Sequence, residues 1–279
     1  MGSSMMSAAT ESATDRPAET APEIIRVEGL DLGYGGHALL RNMDFSVYAG
    51  EIVTVLGGSG CGKSTLLKAL VGLLPPIKGR VIVGGEDITD QDPDTLMRAR
   101  RKMGVLFQSG ALLGSLTLAE NVALPLKEFT GLSREFIDAI VQLKLHLVHL
   151  EDYGHYMPAE LSGGMRKRAG LARAMALDPE ILFFDEPTAG LDPITAAEMD
   201  QLILQLNATL GTTMVVVTHE LTSIFTISHR SIMLDRERQG IVAIGDPRAL
   251  RLESSDTLVQ AFFKRQAFPL DPSRRSDAR

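Results

Sequence analysis

The stretch "EIVTVLGGSGCGKSTLLKALVGLL", Glu51 to Leu74, decides how the rest of the chain is read. A continuous apolar run rich in β-branched residues gives way to a glycine-rich turn, which gives way to a run spaced for a helix. Within it, "GGSGCGKST" (57–65) satisfies G-x-x-x-x-G-K-[ST], with Gly57, Gly62, Lys63 and Ser64 in the fixed places. Glycine permits the dihedrals that let backbone amides from Gly58 through Ser59, Gly60 and Cys61 to Ser64 converge on a phosphate. The following helix N-terminus adds favourable partial charge. Lys63 is placed to reach the β and γ phosphates of a nucleoside triphosphate and Ser64 to ligate Mg²⁺, with Thr65 completing the nucleotide-binding set. Cys61 occupies a variable position and reads as a small filler.

Working outward, four apolar runs share one design: "EIVTVL" at 51, "KMGVLF" at 102, "EILFFDE" at 180 and "TMVVVTHE" at 213. Unbroken apolar runs suit parallel strands covered on both faces. Beyond the phosphate loop, three of them end in polar residues, where a parallel sheet presents its ligand site. Asp185 is assigned to the Mg²⁺ shell and Glu186 to the base or orienter of the attacking water. His219 stands within reach of the γ-phosphate, and the Gln108 amide can bind Mg²⁺ or water. Between Ser109 and Glu160 the pattern turns helical. Thr117 and Glu120 form a capping box, and positions 136, 137, 140, 141 and 145 make one apolar face.

Composition sets the outer limits. With 279 residues, 44% of them hydrophobic, the chain can bury a full core, and a net charge of −7 argues against a nucleic-acid partner. A single cysteine excludes an internal disulfide. No run approaches the about 18 apolar residues that span a bilayer. Residues 1–22 read as a disordered leader. The segment 246–279 is a C-terminal extension whose amphipathic piece "DTLVQAFFKRQAF" carries Phe262, Phe263 and Phe268, which need cover from the parent domain or from a subunit interface.

The phosphate loop, Gln108, "LSGG" (161–164), "ILFFDE" (181–186), "AGLD" (189–192) and "THE" (218–220) stand in an order and spacing that resembles the nucleotide-binding subunit of ABC (ATP-binding cassette) transporters. The resemblance spans about residues 25–245. It implies a P-loop NTPase α/β fold: a RecA-like parallel core with an antiparallel β subdomain, plus a helical subdomain at about 109–166 within a nucleotide-binding domain of 23–245. It also implies a head-to-tail dimer in which Ser162, Gly163 and Gly164 of one copy close on ATP held by the other. Asp192 would bridge the two sites, and Tyr34 in "GYGG" would stack on adenine.

Met165 stands after "LSGG" where a polar residue is usual. Together with "FQSGALLGSLTLAENVALPL" at 107 and "DEPTAGLDPI" at 185, it is similar to the ATPases of Mla or related Mce-type lipid transporters. That likeness implies an Mg²⁺-dependent ATPase, peripheral on the cytoplasmic face of the inner membrane and held there by an integral permease. It would drive phospholipid transport between the inner and outer membranes. The likeness further implies a small regulatory subunit and a periplasmic Mce-type lipid-binding subunit. The alternatives are an importer of amino acids or another small solute, a soluble ABC-type ATPase acting on DNA or ribosomes, and a plain phosphate-loop kinase.

Overall fold

The computed structural model describes residues 21–265. A long hairpin, β1 (Glu23–Tyr34) and β2 (His37–Tyr48), comes first among the described residues. It leads to β3 (Ile52–Gly57), α1 (Lys63–Leu70), β4 (Lys78–Val83), β5 (Glu86–Asp87), α2 (Pro93–Arg101) and β6 (Met103–Leu106). Three helices follow: α3 (Leu118–Phe129), α4 (Arg134–Leu147) and α5 (Gly163–Ala174). After them come β7 (Ile181–Asp185), α6 (Pro193–Leu210), β8 (Thr213–Val217), α7 (Leu221–Ile227), β9 (Arg230–Asp235), β10 (Gly240–Gly245), α8 (Pro247–Glu253) and α9 (Thr257–Phe263).

The strands sort into two sheets. One is antiparallel with order β2-β1-β4-β5, and the other has order β10-β9-β3-β8-β7-β6, parallel except for β10 at its edge. Every residue of β3 and β8 is buried. Side chains alternate between two cores: Val53, Val55 and Phe183 face the antiparallel sheet and α1, whereas Ile52, Phe184 and Val216 face the helices. Two apolar environments explain why these strands carry no polar alternation. In register, Val55 pairs with Val217, Val217 with Asp185, and Phe184 with Leu106. The carboxyl ends of four strands therefore stop level, and the side chains just beyond them share one edge.

The capping box is formed. The Thr117 hydroxyl accepts from Glu120 N at 3.2 Å while Glu120 Oε2 accepts from Thr117 N at 2.8 Å, starting α3 cleanly. On α4, Ile137, Val141 and Leu145 are buried, but Phe136 is 65% exposed. Successive residues stand 100° apart on a helix, so Phe136 flanks a stripe narrower than its apolar neighbours suggest. The expected subdomain limit at 166 falls inside α5, which runs unbroken to Ala174 because Ala169, Gly170, Leu171 and Ala172 are buried. Val259 and Phe263 of α9 join Leu56, Leu221, Ile224 and Met233 in a third cluster, so the parent domain covers Phe263. Phe268 and the leader through residue 20 lie outside the described residues. No described helix is long and apolar enough to cross a membrane.

Asp200, buried on α6 beside Ser223 of α7, gives the fold a pH dependence. Its Oδ1 has no hydrogen-bond partner, and burial pushes the carboxyl up to about 6, opposed by the Ser223 bond. A raised carboxyl pKa means the folded chain holds this proton more tightly than the unfolded one. The penalty is absent below the unfolded pKa, grows between about pH 4 and 6, and reaches about 3 kcal/mol above that window. Asp200→Asn should therefore melt several degrees higher than the parent near neutral pH. The gap should close as the pH falls to about 4, measured by thermal unfolding across that range.

Candidate nucleotide site

At the level edge of the parallel sheet lies a cleft of about 710 Å³. Its walls include Gly57, Gly58, Ser59, Gly60, Gly62, Lys63, Ser64 and Thr65 from the β3–α1 turn, with Gln108, Asp185, Glu186 and His219 from the neighbouring strand ends. These residues lie as much as 162 positions apart in sequence. Sheet register brings them together.

The loop is shaped by what cannot fit. Gly57 has φ 144, and a Cβ there would lie 2.3 Å from the Leu234 carbonyl oxygen and 2.7 Å from Cys61 Sγ. Only glycine can occupy this position. Cys61 departs from its sequence neighbours. Its side chain is buried beneath the loop rather than in the cleft, its amide donates to Gly58 O at 3.3 Å, and burial pushes its thiol pKa up. Lys63 Nζ donates to the carbonyls of Gly57 and Gly58 at 2.9 and 3.1 Å, both neutral partners.

The acidic wall is under electrostatic load. The half-buried Asp185 carboxyl is pushed up by burial first and by adjacent Glu186 second, with Lys68 and Lys63 opposing. Glu186 has φ 51, an uncommon left-handed backbone for a non-glycine residue. Its amide donates to Val217 O at 2.9 Å, its Oε1 lies 2.9 Å from His219 Nδ1, and its Oε2 is buried with no partner. A carboxylate oxygen without a donor, beside a second acid that burial discourages from ionising, suits a site completed by a cation and water. No group of three or more His, Cys, Asp or Glu among the described residues could hold a metal ion. An ion taken by Asp185 would therefore rely on Ser64 and Gln108, with phosphate and water filling the rest of its shell.

The other expected residues stand elsewhere. Ser162 caps α5, its hydroxyl accepting from Met165 N at 3.2 Å, which leaves the hydroxyl proton free to donate outward. Gly163 is exposed, while Gly164 is buried against α6, where a Cβ would lie 2.5 Å from Thr195 Cγ2. Asp192 caps α6, accepting from Ile194 N and Thr195 N at 3.1 Å and from Thr195 Oγ1 at 2.6 Å, bonds that hold its pKa low. Tyr34 sits at the β1–β2 turn, 53% exposed, and does not line the cleft. Leu39, Leu221, Phe262 and Arg265 do line it, and sequence reasoning did not place them there. The amphipathic pattern of α9 was the available signal for Phe262. Nothing local marked Leu39.

A model of the ABC transporter family matches residues 40–189, from within the β1–β2 hairpin to just past Glu186. The chain belongs to the ABC transporter family. The mkl protein of Mycobacterium tuberculosis, described as a probable ribonucleotide transport ATP-binding protein, is 42% identical over 91% of this chain and 70% of its own length. The Haemophilus influenzae intermembrane phospholipid transport system ATP-binding protein MlaF is 39% identical over 86% and 90%. The ATP-binding cassette MJ0796, solved as a dimer in a post-hydrolysis state with ADP and Pi, superposes with a TM-score of 0.72 at 32% identity. That match covers 80% of this chain and 98% of the cassette. As an ABC transporter ATPase subunit, this chain binds and hydrolyses ATP with Mg²⁺. Bound in the cleft, Mg²⁺ supplies neutralisation of the charge that develops on the phosphate oxygens.

Proposed function

We propose that this ATPase drives a transporter moving phospholipid between the inner and outer membranes. It would sit on the cytoplasmic face of the inner membrane, held by an integral permease. The likeness to MlaF, which covers nearly the whole of both chains, carries this reading. The chain spans a smaller share of the mkl relative, whose description as a ribonucleotide transport protein supplies the second reading.

Two copies pair head to tail, so that Ser162, Gly163 and Gly164 of one face the phosphate loop of the other. The helix N-terminus they form favours an anion. Lys63 binds the β and γ phosphates, Ser64, Asp185 and Gln108 hold Mg²⁺, and Glu186 takes or orients the proton of the attacking water. His219 steadies Glu186 and the γ-phosphate, Asp192 lies between the two sites, and Tyr34 receives the adenine. A γ-phosphate gripped by both copies stabilises the closed pair, and its loss frees them. Phe107, next to Gln108, and Leu113, five positions beyond it, are large apolar side chains 38% and 45% exposed and suit the receiver of the permease. A small regulatory subunit and a periplasmic Mce-type lipid carrier complete the assembly, and the C-terminal extension is available to touch a neighbouring subunit.

The test is to purify the chain with its membrane partners and identify what travels with them by mass spectrometry. Phospholipid enriched over the surrounding membrane is expected. A stoichiometric ribonucleotide on the permease, or a bound amino acid, would replace the lipid reading.

A further inference from the structure

Lys167 lies five residues beyond Ser162 on α5, and it is only 6% exposed. Burying an ammonium is costly unless its donors are used. All three are used here: Nζ donates to the carbonyls of Glu186 at 3.2 Å, Pro187 at 2.8 Å and Ala189 at 2.6 Å. Arg166 beside it behaves differently, donating to Leu161 O at the start of its own helix. We propose that Lys167 is a positioning residue that fastens the turn carrying Glu186 to the helix whose first turn faces the second copy.

The turn needs an outside hold. Glu186 stands at φ 51, a backbone conformation that an L side chain disfavours and that persists only where surroundings impose it. The Glu186 amide is held by the Val217 carbonyl on β8. The carbonyls that follow it are held by Lys167. Between them, these bonds fix the peptide planes on both sides of the Glu186 Cα, and so the direction in which its carboxylate leaves the backbone. That direction sets the 2.9 Å contact with His219 Nδ1 and keeps Oε2 clear of protein donors.

The same helix also grips the loop after Gln108. Arg173 donates to Ala111 O at 2.7 Å and to Gly110 O at 3.1 Å. One rigid element therefore carries Ser162 at its start, holds the Glu186 turn at its middle and holds the Gln108 loop at its end. A shift of α5 caused by anion binding at its N-terminus must be felt at both loops of its own cleft. This extends the head-to-tail reading above and rests on it: the nucleotide in the partner's site would report to Glu186 through Lys167.

Full-length Lys167→Met and Lys167→Arg chains test this by phosphate release, by titration with a fluorescent N-methylanthraniloyl ATP and by melting. Lys167→Met should lose about 10- to 100-fold in kcat, as expected for a catalytic group slightly misplaced. KM and the affinity for the fluorescent ATP should stay within about twofold of the parent. Lys167→Arg, which keeps the charge and the donors on a larger planar group, should restore part of the turnover. Turnover of Lys167→Met within about threefold of the parent would overturn the assignment, and so would a parallel loss of kcat and nucleotide affinity that arginine does not mend. Should the methionine chain not fold, Lys167→Gln is read by the same split, and failure of every uncharged variant to fold counts against a positioning role. Glu186→Gln measured alongside separates two failures. If it is inactive while Lys167→Met is normal, only this inference falls, and if it is itself fully active, the reading of the site falls too.

Discussion

Glu186→Gln is expected to cut ATP turnover by about two to four orders of magnitude while leaving ATP affinity within a few-fold, the mark of a lost general base. Glutamine keeps the shape and can still contact His219, but it accepts no proton and orients water poorly. Glu186 is the one acid in the cleft with an unpartnered, buried oxygen, so its removal should be felt in chemistry rather than in binding. Binding rests on the loop amides and Lys63, which lie in the β3–α1 turn and at the start of α1. With hydrolysis blocked, the triphosphate persists and the closed pair should accumulate. Size-exclusion chromatography with ATP and Mg²⁺ should then show the variant as a dimer at concentrations where the parent is mostly monomeric. Phosphate release and a fluorescent-ATP titration read the two halves of the claim separately. Full turnover in the folded variant would remove Glu186 from its role.

How much of this was legible beforehand depends on how local each feature is. The β3–loop–α1 unit is contiguous, so a short motif located the phosphate cradle, and the all-apolar strands announced a sheet covered on both sides. Gln108, Asp185 and His219 were found because each ends such a strand, and register does the rest. The antiparallel sheet left a weaker trace. β1 breaks its alternation at several register shifts, around Gly29 and again near Leu32, so no period of two is sustained. It was expected from family resemblance alone. Lys167 was hidden for another reason. Arg166, Lys167 and Arg168 in a row suit a solvated face, interdomain pairing or a contact to phosphate alike, and only the packing of α5 shows that Lys167 turns inward to carbonyls 19 to 22 positions away. Asp192 shows the converse, since its place at an N-cap before proline gives it a structural duty that a motif reading overlooks.

Mixing two dead chains should restore activity. Ser162→Arg places a bulky cation where the α5 N-terminus would meet the partner's nucleotide, and Lys63→Ala removes the charge that holds phosphate in the chain's own loop. Each homodimer then has two spoiled sites. In a mixed dimer, however, the intact phosphate loop of the Ser162→Arg chain meets the intact Ser162 of the Lys63→Ala chain, and all the damage falls on the opposite site. Random pairing makes half the dimers mixed, so about a quarter of all sites are whole, and an equimolar mixture should recover up to about a quarter of parental turnover. Recovery cannot come from either chain folding better, because it requires an undamaged loop from one and an undamaged α5 from the other. The loss of the Ser162 cap, at about 1 kcal/mol, is small beside this effect. It can be checked by melting each chain alone. If a monomer carried a complete site, the mixture would give only the average of its two components at every protein concentration. In that case the opposed-dimer reading, and with it the outward role of Ser162, Gly163 and Gly164, would have to be abandoned.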